Sequence, residues 1–149
     1  MHHYTCADSS IRKYRQRISG PLLDRIDIHM DVPRVDYDKL TSVPTGEASA
    51  QIRERVEYAR QIQRERFQES SHLQANADMG AKEVDRFCET TPEAADLLKM
   101  SLVQMQLSAR AYHRILKLAR TIADLDDSEI IDVKHLAEAI QYRPRRLTG

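Results

Sequence analysis

The sequence contains few residues of several types. It has no Trp, four Gly and only two Cys among its 149 residues. Two cysteines are too few for the disulfide framework of a small secreted protein, so reduced thiols and a cytoplasmic location are expected. No apolar run approaches the length of about 18 residues that a membrane-spanning helix needs, and no signal-peptide pattern opens the chain. No membrane association is therefore expected.

An excess of charge of either sign is also lacking, because 23 basic side chains balance 23 acidic ones. The net charge of zero gives no global reason to bind nucleic acid. Basic residues are nevertheless locally concentrated near the N-terminus and in a basic tail over residues 144–149. They keep open the alternative of a non-enzymatic helical module that binds phosphate backbone or protein. The basic residues of this proposed surface are Arg12, Lys13, Arg15, Arg17, Arg143, Arg145 and Arg146.

A single strand is predicted in the chain. Apolar and polar residues alternate from Ile26 to Val32, which is the period of a half-buried strand, and Pro33 ends the run. A lone strand cannot satisfy its own backbone hydrogen-bonding groups. Residues 1–33, with a short helix predicted to be capped by Ser9 or Ser10 and to run through Arg17, are therefore expected to be the remnant of a core whose missing part lies N-terminal. Residues 34–47 are predicted to be a linker.

Residues 48–143 are predicted to form a small all-helical bundle with short connections. Amphipathic patterns indicate helices over about 48–69, 83–88, 92–105, 109–125 and 132–143. Thr91, Ser108 and Asp132 are predicted to be N-caps, and Ile131 is predicted to pack on Leu136 across the last of these caps. The predicted class is mainly α, with a helix-plus-strand remnant before the bundle. On the first long helix the predicted buried stripe is Ile52, Val56, Ala59 and Ile62.

Arg110 lies in the first turn of the helix that Ser108 is predicted to cap. The positive end of the helix dipole disfavours a cation there by about 0.3–1 kcal/mol, and the free N–H groups of that turn favour an anion. An arginine beside those donors can form a phosphate-binding corner together with Ser108. The alternative is a solvated arginine that bends away from the helix end.

Arg25 stands immediately before the predicted strand and is flanked by Asp24 and Asp27. One interpretation is a local ion pair with these carboxylates. The other is an arginine that projects from the edge of the domain and stabilises a phosphate bound by a neighbouring subunit, an effect worth about 10³–10⁵ in rate in GTPases.

The remaining His and Cys residues give weak signals. His2, His3 and Cys6 can in principle ligate a metal, but Met1-His2-His3 is better explained as an expression tag. Cys88 is predicted to be a small core residue beside Val84 and Phe87. No metal site is expected.

Two long motifs carry a resemblance to a known family. The first runs from Tyr14 through Arg15-Gln16-Arg17-Ile18-Ser19-Gly20-Pro21-Leu22-Leu23-Asp24-Arg25 to Ile28, and the second runs from Leu107-Ser108-Ala109-Arg110 to Leu125. Together with the ending Ile131 to Arg143, they resemble the C-terminal third of the magnesium-chelatase-like AAA+ ATPases, in particular the ComM competence-protein group. The resemblance covers essentially residues 4–146.

The resemblance implies a role for each of the two arginines. Arg25 occupies the position of the arginine finger, which acts in trans on the nucleotide of the next subunit. Arg110 occupies the position called sensor 2, which touches the γ-phosphate in cis. The resemblance further implies an AAA+ lid-type bundle, ATP and Mg²⁺ in the full-length protein, and a ring, by analogy a hexamer. The implied partner is DNA, remodelled by branch migration in recombination and natural transformation; a metal-chelatase complex is the alternative.

The sequence also departs from a complete ATPase. It contains no Gly-x-x-x-x-Gly-Lys-Ser/Thr loop to cradle phosphates, and no apolar run ending in Asp-Glu to hold magnesium. This chain alone is therefore not expected to hydrolyse ATP or to bind a cofactor, whereas the full-length protein is. Without the rest of the core, residues 1–47 are expected to be disordered, loosely packed or exchanged with a neighbouring molecule.

Overall fold

The fold is known from a computed structural model, which describes residues 7–15, 17, 22, 25–33 and 46–143. Within these ranges the chain is mainly helical, which confirms the predicted class, and none of the helices is long and apolar enough to cross a membrane. The predicted tail over residues 144–149, most of the linker, and the tripeptide Met1-His2-His3 with Cys6 lie outside the described residues. The helices are α1 (Asp8–Arg15), α2 (Ser49–Arg66), α3 (Ala81–Phe87), α4 (Pro92–Gln104), α5 (Ala109–Leu125) and α6 (Val133–Gln141), with a 3₁₀ turn at Asn76–Asp78.

The three predicted N-caps are confirmed. The side-chain oxygens of Thr91 and Ser108 each accept a hydrogen bond of 3.3 Å from the backbone N–H three residues ahead. Asp132 accepts from the Val133 N–H at 2.6 Å, and its own N–H donates to Nδ1 of His135 at 3.0 Å. These bonds satisfy backbone donors that have no partner within the helix, and therefore fix where α4, α5 and α6 begin.

The core forms where α5 packs against its neighbours. Ile115 and Ala119 of α5 and Leu136 of α6 are completely inaccessible to solvent. Ile131 is equally inaccessible and belongs to the same cluster as Leu136, as predicted for the start of α6. The other buried members of this core are Phe67, Met79, Val84, Cys88, Ala94, Leu98, Leu116, Ala123 and Ala139.

A short backbone bridge joins the entrances of α4 and α6. Thr90 and Ile131 pair in parallel, with the Thr91 N–H donating to the Ile131 carbonyl at 3.0 Å and the Ile131 N–H donating to the Glu89 carbonyl at 2.9 Å. Because each segment leads directly into a helix, the bridge fixes the starts of α4 and α6 relative to each other.

A buried ionic network connects α2, the 3₁₀ turn and α5. Both oxygens of Asp124 accept hydrogen bonds from Arg66, at 2.6 and 2.8 Å, and Arg120 Nε donates to the same carboxylate at 3.0 Å. Asn76 Nδ2 adds a fourth bond at 2.7 Å. Asp124 and Arg120 are 1% and 2% exposed, and burial lowers the pKa of the Arg120 guanidinium. Their charges are thus satisfied by protein groups in place of water.

The predicted buried stripe of α2 is wrong in its first half. Ile52 and Val56 are 41% and 40% exposed, and the buried positions of this helix are Ala59 and Gln63. Burial begins only where α2 reaches the part of the bundle that contains Asn76, whose N–H donates to the Gln63 side chain at 3.0 Å. The periodicity located the helix but not the part of it that is packed.

The predicted strand over residues 26–32 is not formed among the described residues. Residues 26–33 run without strand pairing, and Ile26, Ile28, Met30 and Val32 are exposed. The physical reason is that a half-buried strand needs a neighbouring strand to pair with, and the described residues supply none. The helix before it, α1, begins at Asp8 and ends at Arg15, so Ser9 and Ser10 lie inside it and are not its cap.

Candidate functional site

The N-terminus of α5 presents unpaired backbone donors at the protein surface. Ser108 closes one donor of the first turn through its bond to the Ala111 N–H. The N–H groups of Ala109 and Arg110 have no acceptor within the helix, as for the start of any α-helix. Ser108, Ala109 and Arg110 are all exposed. This end of α5 therefore combines partial positive charge with access for a ligand.

Arg110 extends from this turn into solvent. Among the described residues its guanidinium has no hydrogen bond and no ion pair, so no carboxylate of the bundle neutralises it. A guanidinium next to free N–H groups is suited to a phosphate, which can accept hydrogen bonds from both. The predicted position of Arg110 in the first turn is confirmed, whereas its binding of a phosphate stays a prediction.

Ser108 supplies a test of the local geometry that does not depend on any ligand. We expect Ser108→Ala to lower the free energy of unfolding by about 1 kcal/mol, because the Ala111 N–H loses its acceptor. Ser108→Asp keeps an acceptor at the cap and should retain most of that stability. Urea denaturation of the chain measures both. Equal losses for the two variants, or no loss for Ser108→Ala, would contradict the capping role.

Arg25 is exposed and its side chain forms no hydrogen bond or ion pair with the described residues. The ion pair with Asp27, which was one of the two interpretations of Arg25, is not formed, because Asp27 Oδ1 instead accepts from Arg114 Nη1 at 2.5 Å. Asp24, the other candidate partner, lies outside the described residues. Asp27 is therefore paired with Arg114 and not with Arg25, its neighbour along the chain.

Arg114 brings the Arg25 segment to the helix that carries Arg110. Its Nη1 also donates to the Arg25 carbonyl at 2.5 Å. Arg110 and Arg114 are four residues apart in α5, so their side chains leave the same face of the helix. Sequence reasoning missed Arg114, and no local pattern signals it, since its partner Asp27 is 87 residues away.

Two further chemically capable side chains, those of Cys88 and His135, are held within the fold. Cys88 is buried, as predicted, and burial raises the pKa of its thiol to about 11, so the thiol stays protonated at neutral pH. Cys88 lines an apolar cavity of about 310 Å³ together with Leu98, Lys99 and Tyr112. Nδ1 of His135 accepts the cap N–H, and Nε2 faces Asp126 at 3.0 Å. Among the residues that the structure covers, no three His, Cys, Asp or Glu side chains converge on a possible metal position.

This helical bundle with its exposed arginines has the sequence of a known family. The chain belongs to the family described as magnesium chelatase, subunit ChlI C-terminal, which it matches over residues 46–143, and residues 1–40 match the family described as magnesium chelatase, subunit ChlI. The resemblance to the magnesium-chelatase-like AAA+ proteins is thereby confirmed.

Individual relatives are similar along nearly the whole chain. The chain is 42% identical over 142 residues to the competence protein ComM of Haemophilus influenzae and 40% identical over 142 residues to the protein YifB of Escherichia coli. In both cases the match covers 95% of this chain and 27% of the relative. The chain thus spans about a quarter of the length of these relatives, so the activity of the whole protein is a matter for proposal.

Proposed function

We propose that this chain is the C-terminal region of an AAA+ ATPase, in which residues 48–143 are the helical lid and residues 1–33 are the end of the nucleotide-binding core. Residues 34–47 would link the two, and residues 144–149 would form a basic tail. The observation that carries the proposal is Arg110, an exposed guanidinium at the capped N-terminus of α5 that no described carboxylate neutralises, in a chain of this family.

Arg110 acts in this proposal as sensor 2. The guanidinium and the free N–H groups of its turn donate to the γ-phosphate of ATP, and Ser108 holds that turn in place. The donor set fits a phosphate, because all of these groups are hydrogen-bond donors and the helix dipole adds positive potential. The loops that hold most of the ATP and its Mg²⁺ belong to the rest of the core, and this sequence contains neither of them.

Arg25 acts as the arginine finger of the neighbouring subunit's site. An exposed guanidinium without a partner among the described residues can reach a phosphate across a subunit interface. There it stabilises the negative charge that develops on the transferred phosphoryl group. This role requires a closed ring, because each subunit then completes the site of the next. By analogy with the family, we propose that the ring is a hexamer.

The partner moved by the ring is proposed to be DNA. The support is the similarity to a relative named competence protein ComM. The alternative is the motor subunit of a metal-chelatase complex, which the family description favours. A ring that moves DNA and a chelatase motor differ in whether duplex DNA raises the rate of ATP turnover.

A non-enzymatic binding module is less favoured, because Arg143 of its proposed basic surface is buried.

The sensor-2 role is tested in the complete ATPase, meaning this chain joined to the core that carries the phosphate-binding loop. Arg110→Ala should lower ATP turnover by about 10²–10³, because one group facing the developing charge is lost. Steady-state ATP hydrolysis measures this effect. The control is Arg60→Ala, which removes an exposed arginine of α2. Equal turnover in the two variants would overturn the assignment of Arg110.

A further inference from the structure

We propose that Arg114 is a positioning residue that ties the segment carrying Arg25 to lid helix α5. The inference rests on the proposed function, since it assigns to Arg114 the placing of the arginine finger. Arg114 itself reaches no phosphate in this account. It acts through Asp27 and through the backbone of Arg25.

The contact consists of two charge-assisted hydrogen bonds from one atom. Nη1 of Arg114 lies 2.5 Å from the Arg25 carbonyl oxygen and 2.5 Å from Asp27 Oδ1. Hydrogen bonds to an ionised group are shorter and stronger than those between neutral groups. The bonds engage the main chain of Arg25 and the side chain two residues later. They therefore fix the path of the segment and leave the Arg25 guanidinium exposed.

Two further hydrogen bonds hold the same segment to the end of α6. The His29 N–H donates to the Tyr142 carbonyl at 2.9 Å, and Arg143 Nη1 donates to the Ile26 carbonyl at 3.2 Å. Both involve main-chain groups of residues 26–29. The segment has no strand neighbour among the described residues, and these bonds together with those of Arg114 attach it to the helical bundle.

The location of Arg114 links the two arginines of the proposed site. Arg114 follows Arg110 by one helical turn, so a rotation of α5 that moves Arg110 also moves the anchor of the Arg25 segment. When the lid changes its angle to the core, the position of Arg25 changes with it. The lid of one subunit thereby controls whether the finger reaches the next subunit's phosphate.

The contact is suited to positioning and contributes little to folding. The side chains of Arg114 and Asp27 are 27% and 53% exposed, and ion pairs this exposed stabilise a fold only weakly. A displacement of about 1 Å at a reacting centre, in contrast, can cost about 10² in rate. Loss of Arg114 should consequently lower kcat without changing the stability of the lid.

The experiment compares four variants of the complete ATPase: Arg114→Ala, Arg114→Lys, Asp27→Ala and Arg60→Ala. We expect Arg114→Ala and Asp27→Ala to lower kcat by about 10–100-fold with unchanged KM for ATP and an unchanged urea midpoint. Arg114→Lys keeps a charged donor and should recover part of the rate. The double variant of Asp27 and Arg114 should be no slower than Arg114→Ala, because the loss of Arg114 already breaks its bond to Asp27.

The outcomes separate this inference from the proposed function. If Arg25→Ala abolishes turnover while Arg114→Ala and Asp27→Ala behave like Arg60→Ala, the positioning role is wrong and the finger stands. If Arg25→Ala itself turns over normally, the proposed function fails. A loss of kcat in Arg114→Ala that is matched by a fall in its urea midpoint and not shared by Asp27→Ala would also overturn the inference, since Arg114 would then be structural.

Discussion

Replacing Arg25 by alanine in the complete ATPase is expected to reduce ATP turnover by about 10³–10⁵ while ATP binding is retained. The rate change follows from the role of an arginine finger, which stabilises charge on the phosphoryl group only as it is transferred. Binding is retained because the phosphate-binding loop and Arg110 are intact in the same subunit. Hydrolysis and the binding of a fluorescent ATP analogue, measured on the same preparation, test both parts.

A matched control for Arg25→Ala is Lys13→Ala. Lys13 is an exposed cation of α1, in the same N-terminal region as Arg25. Its removal changes the net charge equally but should leave turnover near the wild-type rate. A comparable loss in both variants would mean that positive charge in this region, and not the Arg25 position, supports activity.

The second large effect is on stability, at Asp124. Asp124→Ala leaves Arg66 and Arg120 without the carboxylate that both of them bind in the interior. Removing one partner from a buried ionic network costs about 3–5 kcal/mol, because the remaining charges stay buried without compensation. This is a large part of the total stability of a small domain, so the variant should be largely unfolded or unfold at much lower urea concentrations. Circular dichroism during urea denaturation of the chain measures the change.

The control for Asp124→Ala is Glu47→Ala, which breaks the ion pair of Glu47 with Arg55. That pair has a similar distance of 2.8 Å but lies on the surface, with side chains 39% and 50% exposed. Its loss should leave the urea midpoint unchanged, because water replaces the lost partner. If both variants unfold at the same urea concentration as the wild type, the network around Asp124 does not hold α2 against α5.

The features that were predictable from sequence are those that depend on neighbours along the chain. The caps at Thr91, Ser108 and Asp132 were predicted because a cap needs only a side-chain oxygen and the next turn of the helix. The burial of Arg120 and Asp124 was not predicted. Periodicity treats charged residues as exposed, and their burial depends on Arg66 and Asn76, which reach α5 only in the folded bundle. Ile52 illustrates the converse, because it is an apolar residue on the predicted helix and yet stays 41% exposed.

In the candidate site, too, local features are predictable from sequence, whereas contacts between distant residues are not. Arg110 was found because the electrostatics of a helix terminus are local. The partner of Asp27 was not found from the sequence, because Arg114 is 87 residues away and Arg25 is the nearer cation. The strand over residues 26–32 was predicted from a correct period but needs a neighbouring strand that no alternation pattern can supply.

Mixing two inactive variants of the complete ATPase tests the central claim most directly, namely that Arg25 completes the site of a neighbouring subunit. One variant carries Arg25→Ala, and the other retains Arg25 but has lost its phosphate-binding lysine. Rings that contain both should regain ATP turnover, because an Arg25→Ala subunit still binds ATP and receives the finger from its neighbour. Mixed rings that assemble but remain as inactive as either variant alone would contradict the account.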